Sequence, residues 1–220
     1  MQSPKGLIFD MDGVLIDSEP LHKRAKELAF AEAGIVLSED VYDSYKGRPD
    51  ATMLPEILSA RGWPAEKIQE FSRRKHQLYE EIEHQLQPVD GAADFVRWAA
   101  PRYRIALATS ATARNRQMSL GKLGVGDMFQ VVIDASGHRK PKPDPEVFLI
   151  ALEKLHLSAA DCWIIEDSVN GLRAAKGAGC YTAAITTTFS RQVLIDAGAD
   201  IVVERFSELR EKLASLTTAH

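Results

Sequence analysis

Asp10 directly follows the apolar residues 7–9, and Asp12 and Gly13 come after one further residue. A short apolar run that ends in turn residues is typical of a buried strand in an α/β sheet, where ligands bind beyond the carboxyl ends of the strands. Two carboxylates this close repel each other and lose hydration, so a fold usually keeps them with a cation or a shared proton. The pair therefore predicts a reaction centre, and a pair of helix caps or turn residues is the alternative.

Polar groups of three kinds occur in other segments that end an apolar run or precede a helix. Thr109 and Ser110 end one predicted strand, and Glu166 and Asp167 end another. The segment 140–144, Lys-Pro-Lys-Pro-Asp, opens a predicted helix. These segments stand where predicted strands end or a predicted helix begins, so we expect their loops to converge with Asp10 and Asp12 on one site.

The order of the predicted elements divides the chain into two parts. From residue 87 onward strands and helices alternate, which indicates βαβ units, a parallel sheet and right-handed crossovers. The segment 18–86 has only helical patterns, so we predict an α/β core formed by residues 1–17 and 87–220 with a helical module at 18–86. The predicted strands are 7–10, 104–109, 129–134, 162–166 and 180–185, and the predicted helices include 38–46, 50–61, 64–86, 91–100, 113–123, 144–155 and 168–177.

The composition of the whole chain excludes several classes of partner. A net charge of -4, with acidic and basic residues interspersed, leaves no basic stripe for nucleic acid and no electrostatic membrane-binding surface. No apolar run approaches the roughly 20 residues that span a bilayer, and strand-like sequence begins too early for a signal peptide, so we expect a cytoplasmic protein. The positions of Cys162 and Cys180 predict buried free thiols. We also expect a monomer, because no conspicuous apolar helix face is left over.

Four segments in a fixed order carry a resemblance to a known family, and they are 9–14, 107–110, 140–144 and 164–168. They resemble the four motifs of the haloacid dehalogenase superfamily of phosphotransferases, over residues 7–179. The helical module is similar to that family's cap of the first type, and the run 17–22, Asp-Ser-Glu-Pro-Leu-His, is similar to its β-phosphoglucomutase-like branch. The resemblance implies an α/β fold with a Rossmann-like, doubly wound parallel sheet and an inserted all-helical cap.

The resemblance implies separate roles for the two aspartates. Asp10 would attack phosphorus and carry an aspartyl-phosphate intermediate, while Asp12 would protonate the leaving oxygen and later activate water. Mg²⁺ is the implied cofactor, because a hard cation with oxygen ligands shields both the nucleophile and the phosphate. The implied protein ligands are Asp10, the backbone carbonyl of Asp12, and Asp167. Glu166 is left open between direct binding, binding through water, and orientation of the loop.

Phosphate oxygens would be held by hydroxyl and ammonium groups. Thr109 would donate its hydroxyl, and Ser110 with the following backbone N–H groups would complete an anion cradle at a helix start. Lys140 would hold the phosphate and the charge of Asp10; Lys142 competes for this role, but the family pattern Lys-Pro-x-Pro-Asp favours Lys140. Without the resemblance, Thr109 and Ser110 indicate an N-cap, and lysines of this kind are usually solvated.

Residues of the cap are expected to select the substrate. His22, Lys46 and Arg48 fall where the resemblance places substrate-facing groups, and basic groups there would bind an anionic or hydroxyl-bearing part of the substrate. Exposed surface residues are the alternative. In the mutase pattern an arginine follows the cap lysine by four places, and this chain has Asp50 there. The loss of that anchor for a second phosphate favours hydrolysis, unless Arg48 or Arg114 replaces it.

We therefore expect a Mg²⁺-dependent phosphatase of small phosphorylated metabolites, with sugar phosphates as the leading class of substrate. The main alternative is a β-phosphoglucomutase-like sugar-phosphate mutase, and an alternative of another class is a non-catalytic phosphometabolite-binding protein. The carbon-centred reactions of the superfamily are disfavoured, because those enzymes lack an acid at the position of Asp12. One of them, phosphonate cleavage, also needs a cap lysine as its amine, a role that Lys46 would have to fill.

Overall fold

A computed structural model of the chain describes residues 3–38, 40–41 and 50–217. The chain divides into two compact units, one formed by Met1–Asp17 with Gln87–His220 and the other by Ser18–Leu86. Each unit has its own cluster of buried apolar side chains, as independently packed units do.

The larger unit is built on a parallel sheet. Its strands in chain order are β1 (Gly6–Phe9), β2 (Ile16–Asp17), β3 (Gln87–Pro88), β4 (Arg104–Ala108), β5 (Val131–Ile133), β6 (Cys162–Glu166), β7 (Tyr181–Ile185) and β8 (Ile201–Val203). Six of them form one parallel sheet in the order β5-β4-β1-β6-β7-β8. β1 lies inside this sheet, with Phe9 in register with Leu107 on one side and Ile165 on the other. The predicted α/β fold with a parallel sheet is confirmed.

Helices cover both faces of the sheet in the larger unit. The α-helices bounded within the described residues are α1 (Glu19–Glu32), α2 (Asp50–Ser59), α3 (Ala65–Ile82), α4 (Ala92–Ala99), α5 (Ala113–Leu123), α6 (Glu146–Leu155), α7 (Val169–Gly177), α8 (Arg191–Asp196) and α9 (Phe206–Thr217). Successive strand residues point to opposite faces, so Ile8 packs with Phe148 on one face while Phe9 meets Phe95 on the other, with ring centroids 6.0 Å apart. Among the described residues, no helix combines the length and apolarity needed to cross a membrane.

The smaller unit is helical, as its sequence pattern predicts. The helices predicted over 50–61 and 64–86 are observed as α2 and α3, whereas the helix predicted over 38–46 falls mostly outside the described residues. α3 buries residues at helical spacing on one face, which packs against α1 and α2 around Phe30 and Phe71. Lys75 lies on that buried face and is 6% exposed, an unusual position for an ammonium group.

β2 and β3 form a two-stranded antiparallel ribbon at the points where the larger unit gives way to the smaller one in sequence. Ile16 pairs with Pro88 and Asp17 with Gln87. This ribbon was not predicted from the sequence, because two-residue strands are too short to show an alternating pattern.

Candidate active site

The carboxyl ends of β1, β4 and β6 bring together four of the predicted site residues. Asp10 follows β1 and donates its backbone N–H to Ile165 O at 3.0 Å, which fixes it beside the end of β6. Thr109 follows β4, and Glu166 and Asp167 stand at the end of β6. All four are buried, with exposures of 8% or less. Strand register therefore places a hydroxyl and three carboxyl groups at one sheet edge.

The turn after Asp10 is shaped by Gly13. Its φ of +75° lies in the left-handed region that favours glycine, and its N–H donates to Ile16 O at 2.7 Å. A Cβ at Gly13 would stand 1.9 Å from Asp167 Oδ2. The loop after β1 and the loop after β6 can therefore approach this closely only because residue 13 has no side chain. Thr187, in the loop after β7, donates its hydroxyl to Gly13 O. This threonine was not predicted as a site residue, because it belongs to none of the sequence motifs.

Lys142 supplies the ammonium group of the site. Its Nζ lies 2.6 Å from Asp10 Oδ1 and 2.6 Å from Glu166 Oε1, and 4.7 Å from the centre of the Phe148 ring. Burial alone lowers the pKa of this amine, but the charges of Asp10 and Glu166 outweigh burial and raise the pKa above its ordinary value. Lys142 therefore stays charged and bridges the two acids.

The prediction that Lys140 fills this role is wrong. The Lys140 side chain is 70% exposed and its Nζ lies 3.5 Å from Asp144 Oδ2. Its backbone N–H donates to Glu146 Oε2 at 2.7 Å. The pattern Lys-Pro-x-Pro followed by an acid occurs twice, beginning at 140 and at 142, and the path of the loop turns only the second lysine toward Asp10.

Glu166 is fully buried and both of its carboxylate oxygens accept hydrogen bonds. Oε1 accepts from Lys142, while Oε2 accepts from the backbone N–H groups of Asp167 and Ser168 at 3.1 Å and from Ser168 Oγ at 3.0 Å. Ser168 also caps α7, because its Oγ accepts from Gly171 N. Glu166 is thus held by the first turn of α7 and by Lys142.

Asp10, Glu166 and Asp167 form a cluster that is able to hold a cation. One ligand atom from each lies within 4.8 Å of the others. Burial raises the pKa of Asp10 to about 7, against the lowering effect of Lys142 and with added repulsion from Glu166 and Asp12. Burial, followed by the charges of Glu166 and Asp10, also raises the pKa of Asp167 well above its ordinary value. Three buried acids face one ammonium group, so a divalent cation would complete the charge balance of the cluster.

The loop after β4 contributes a buried hydroxyl. Thr109 is 1% exposed and its Oγ1 accepts from Ala111 N at 3.0 Å. The N-cap of α5 is Thr112, whose side chain accepts from Asn115 N, so the N-cap alternative for Thr109 and Ser110 is wrong. Ser110 is exposed at the sheet edge, and Arg114 is exposed in the first turn of α5.

The smaller unit contains a polar cluster of two buried lysines around the partly buried Asp50. Its carboxylate lies 3.4 Å from Lys26 Nζ and 2.6 Å from Lys75 Nζ, and both lysines have side chains only 8% exposed. His22 Nδ1 lies 3.3 Å from Lys75 Nζ, and its ring stacks on Tyr79 at 4.3 Å. Burial, reinforced by repulsion from Lys75, lowers the pKa of His22 to about 3, so the imidazole is neutral at neutral pH.

The two lysines of this cluster were not predicted from the sequence. Lys75 interrupts the apolar face of α3 between Phe71 and Tyr79, and a charge at such a position is the one signal that indicates a buried pair. Among the predicted cap residues that the structure describes, His22 belongs to the cluster. Lys46 and Arg48 lie outside the described residues.

We expect Asp50→Asn to lower the free energy of unfolding of the smaller unit by about 2 kcal/mol at pH 7, because it removes the charged carboxylate that contacts two buried ammonium groups. Burial raises the pKa of Asp50, but Lys75 and Lys26 together lower it below its ordinary value. The stabilisation is therefore complete above the unfolded-state pKa of about 3.9 and is lost as the pH falls through the folded-state value.

Urea unfolding of both proteins between pH 7 and pH 3, followed by circular dichroism, measures this effect. The difference between native and variant protein should shrink as the solution becomes acidic. Glu32→Gln is the matched control, since Glu32 pairs with Arg74 on an exposed surface and its loss should change the unfolding midpoint little. A constant difference across the pH range would contradict the ion-pair explanation.

Comparison with known proteins finds relatives of similar sequence and solved structures of similar fold. Residues 7–185 match a family described as haloacid dehalogenase-like hydrolase. A phosphorylated carbohydrates phosphatase of Thermotoga maritima is 31% identical over 206 residues, covering 91% of this chain and 94% of that protein. A beta-phosphoglucomutase of Bacillus subtilis is 32% identical over 216 residues, covering 95% of this chain and 93% of that protein. The crystal structure of a HAD hydrolase, family IA, variant 3, from Entamoeba histolytica has a TM-score of 0.82 at 25% identity, covering 99% of this chain and 100% of that chain.

Proposed function

The chain belongs to the haloacid dehalogenase-like hydrolase family, and from that premise we propose that it is a Mg²⁺-dependent phosphatase of small phosphorylated metabolites, with sugar phosphates as the leading class. The observation that carries the proposal is the position of Lys142, whose ammonium group touches both Asp10 and Glu166. A buried carboxylate held by a cation at the end of a strand has the environment that a nucleophile toward phosphorus requires.

In the proposed reaction, a carboxylate oxygen of Asp10 forms a bond to phosphorus as the bond to the leaving oxygen breaks. Asp12 gives its proton to that leaving oxygen and so releases the alcohol. Asp12 then accepts a proton from water as the water oxygen attacks the aspartyl-phosphate, which returns inorganic phosphate and the free Asp10 carboxylate. Lys142 and the Thr109 hydroxyl would donate to the equatorial oxygens, where negative charge develops.

Asp10, Asp167 and the backbone carbonyl of Asp12 are the proposed protein ligands of Mg²⁺. When bound, Mg²⁺ would supply positive charge that shields the nucleophile from the phosphate. Each oxygen of Glu166 already accepts at least one hydrogen bond, which supports an orienting role for this acid over a direct ligand role. Lys142 is thereby fixed between Glu166 and Asp10.

The sugar-phosphate mutase is the second candidate, because a relative of similar identity is named beta-phosphoglucomutase. Asp50 supports the phosphatase, since an acid stands where the mutase pattern has the arginine that anchors a second phosphate. The name of the Thermotoga maritima relative supports the same choice. His22, Lys46, Arg48, Ser110 and Arg114 remain the proposed substrate contacts.

The two candidates differ in which oxygen receives the phosphoryl group. Release of inorganic phosphate from a panel of sugar monophosphates, with Mg²⁺ and with a chelator in parallel, tests the phosphatase. We expect release that needs Mg²⁺. Isomerisation of β-glucose 1-phosphate that depends on a bisphosphate primer, without net phosphate release, would favour the mutase instead.

We further propose that the enzyme acts as a monomer in the cytoplasm on a freely diffusing phosphate ester, with neither nucleic acid nor membrane as a partner. The interspersed charges and the net charge of -4 support this. Light scattering coupled to gel filtration tests the monomer, and a mass of twice the 24.3 kDa of the chain would contradict it.

A further inference from the structure

Gly171 lies in the first turn of α7 and has no conformational reason to be glycine. Its backbone is helical and lies outside the left-handed region in which seven other glycines of the described residues are found. Glycine is less favourable than alanine inside a helix, because it loses more backbone freedom on folding. The reason for the missing side chain must therefore lie in what surrounds it.

The space beside Gly171 is filled by the carboxylate of Glu166. A Cβ at position 171 would stand 1.9 Å from Glu166 Cδ, 1.9 Å from Oε1 and 2.1 Å from Oε2. These separations are far inside van der Waals contact. Any residue with a side chain at 171 would have to displace the whole carboxylate.

Glu166 has no room to move without losing its partners. It is fully buried, and its displacement would break the contact with Lys142 and the hydrogen bonds from Asp167 N, Ser168 N and Ser168 Oγ. A buried carboxylate that loses its donors is strongly destabilised. Because Lys142 also touches Asp10, the disturbance would reach the nucleophile.

We propose that Gly171 is a positioning residue whose missing side chain lets Glu166 stand where it holds Lys142 against Asp10. This inference rests on the proposed function, since it assumes that the contact between Lys142 and Asp10 serves phosphoryl transfer. It also predicts a compensating change: Glu166→Asp shortens the acid by one methylene group and opens the space that a methyl group at 171 would fill.

The test is a double-mutant cycle of Gly171→Ala and Glu166→Asp. We expect Gly171→Ala to lower kcat for phosphate release about 100-fold and Glu166→Asp about 10-fold, each with little change in KM. The double variant should be no slower than Glu166→Asp alone. A purely structural role for Gly171 would give losses that multiply.

Gly121→Ala is the matched control, since Gly121 is also inside a helix and a Cβ there would meet nothing within 4 Å. It should raise the melting temperature slightly and leave kcat unchanged, whereas Gly171→Ala should lower the melting temperature. The opposite signs of the two changes in melting temperature distinguish the effect of helix propensity from the effect of the clash with Glu166.

A second double-mutant cycle does not depend on activity. It uses the melting temperatures, without substrate or Mg²⁺, of the native protein, the two single variants Gly171→Ala and Glu166→Asp, and the double variant. A destabilisation by Gly171→Ala that is relieved by Glu166→Asp supports the proposal, and additive changes overturn it. If Gly171→Ala does not fold, a double variant that folds supports the proposal and one that does not overturns it. A native protein that releases no phosphate would instead contradict the proposed function, and the melting cycle would still decide whether Gly171 positions Glu166.

Discussion

Asp10→Asn is expected to lower kcat/KM for phosphate release by about 10,000-fold or more, because an amide oxygen does not attack phosphorus at a useful rate. The substitution keeps the shape of the side chain. The protein should also stay folded, since burial opposes the charge of this acid in the native state, as its pKa of about 7 indicates. Removal of the charge should therefore abolish most of the activity and change the free energy of unfolding little.

Phosphate release and melting temperature, measured on the same preparations, check this prediction. Acid quenching of the native enzyme during turnover should trap a phosphorylated peptide that contains Asp10, and the variant should give none. Asp94→Asn is the control, because Asp94 has an 86% exposed side chain paired with Arg97 at the surface. A variant at Asp10 that hydrolyses phosphate esters as fast as the native protein would overturn the covalent mechanism and favour a binding protein or another nucleophile.

Much of the sheet edge could be predicted from the sequence because the relevant physics is local. Apolar runs that end abruptly in Asp10, Thr109 and Glu166 indicate buried strands, and parallel strands align their carboxyl ends. Once alternation of strands and helices indicates a parallel sheet, these residues must lie near one another. No knowledge of the loops is needed for that step.

The sequence could not decide in the same way whether Lys140 or Lys142 contacts Asp10. The overlapping patterns at 140 and 142 both have the form Lys-Pro-x-Pro followed by an acid, and they differ in ending at Asp144 and at Glu146. Only the three-dimensional path of the loop, with Glu146 accepting the Lys140 N–H, decides which side chain turns inward. The same limit applies to Asp50, whose lysine partners lie on α1 and α3, far from it in sequence.

The role proposed for Gly171 could not be predicted from the sequence either. A glycine in a helix is usually interpreted as a packing feature, and nothing in the sequence connects Gly171 with a carboxylate five residues earlier. The contact exists because the end of β6 and the first turn of α7 fold back on each other around Ser168. Side-chain positions at such a junction depend on hydrogen bonds that sequence patterns do not encode.

Lys142→Met is expected to lower kcat/KM for phosphate release about 1,000-fold, because it removes the group that we propose as a donor to the oxygens of the transferred phosphoryl group. It also leaves Asp10 and Glu166 facing each other in a buried site without the ammonium group that now lies 2.6 Å from each. That repulsion should raise the pKa of Asp10 further and reduce its ionised fraction at neutral pH. The pH profile of kcat/KM should therefore shift upward in the variant as well as fall.

Lys140→Met is the matched control for this change, since the two lysines differ by two positions and share the same sequence pattern. The Lys140 side chain is 70% exposed, and its pairing with Asp144 at the surface contributes little, so kcat/KM should stay within about twofold of the native value. Both variants keep an unbranched apolar side chain of similar length, and a comparison of their pH profiles separates loss of the ammonium group beside Asp10 from general damage to the loop. A large loss for Lys140→Met with a small one for Lys142→Met would mean that the loop rearranges when substrate binds, and that the lysine near the nucleophile in the free enzyme is not the one that serves the reaction.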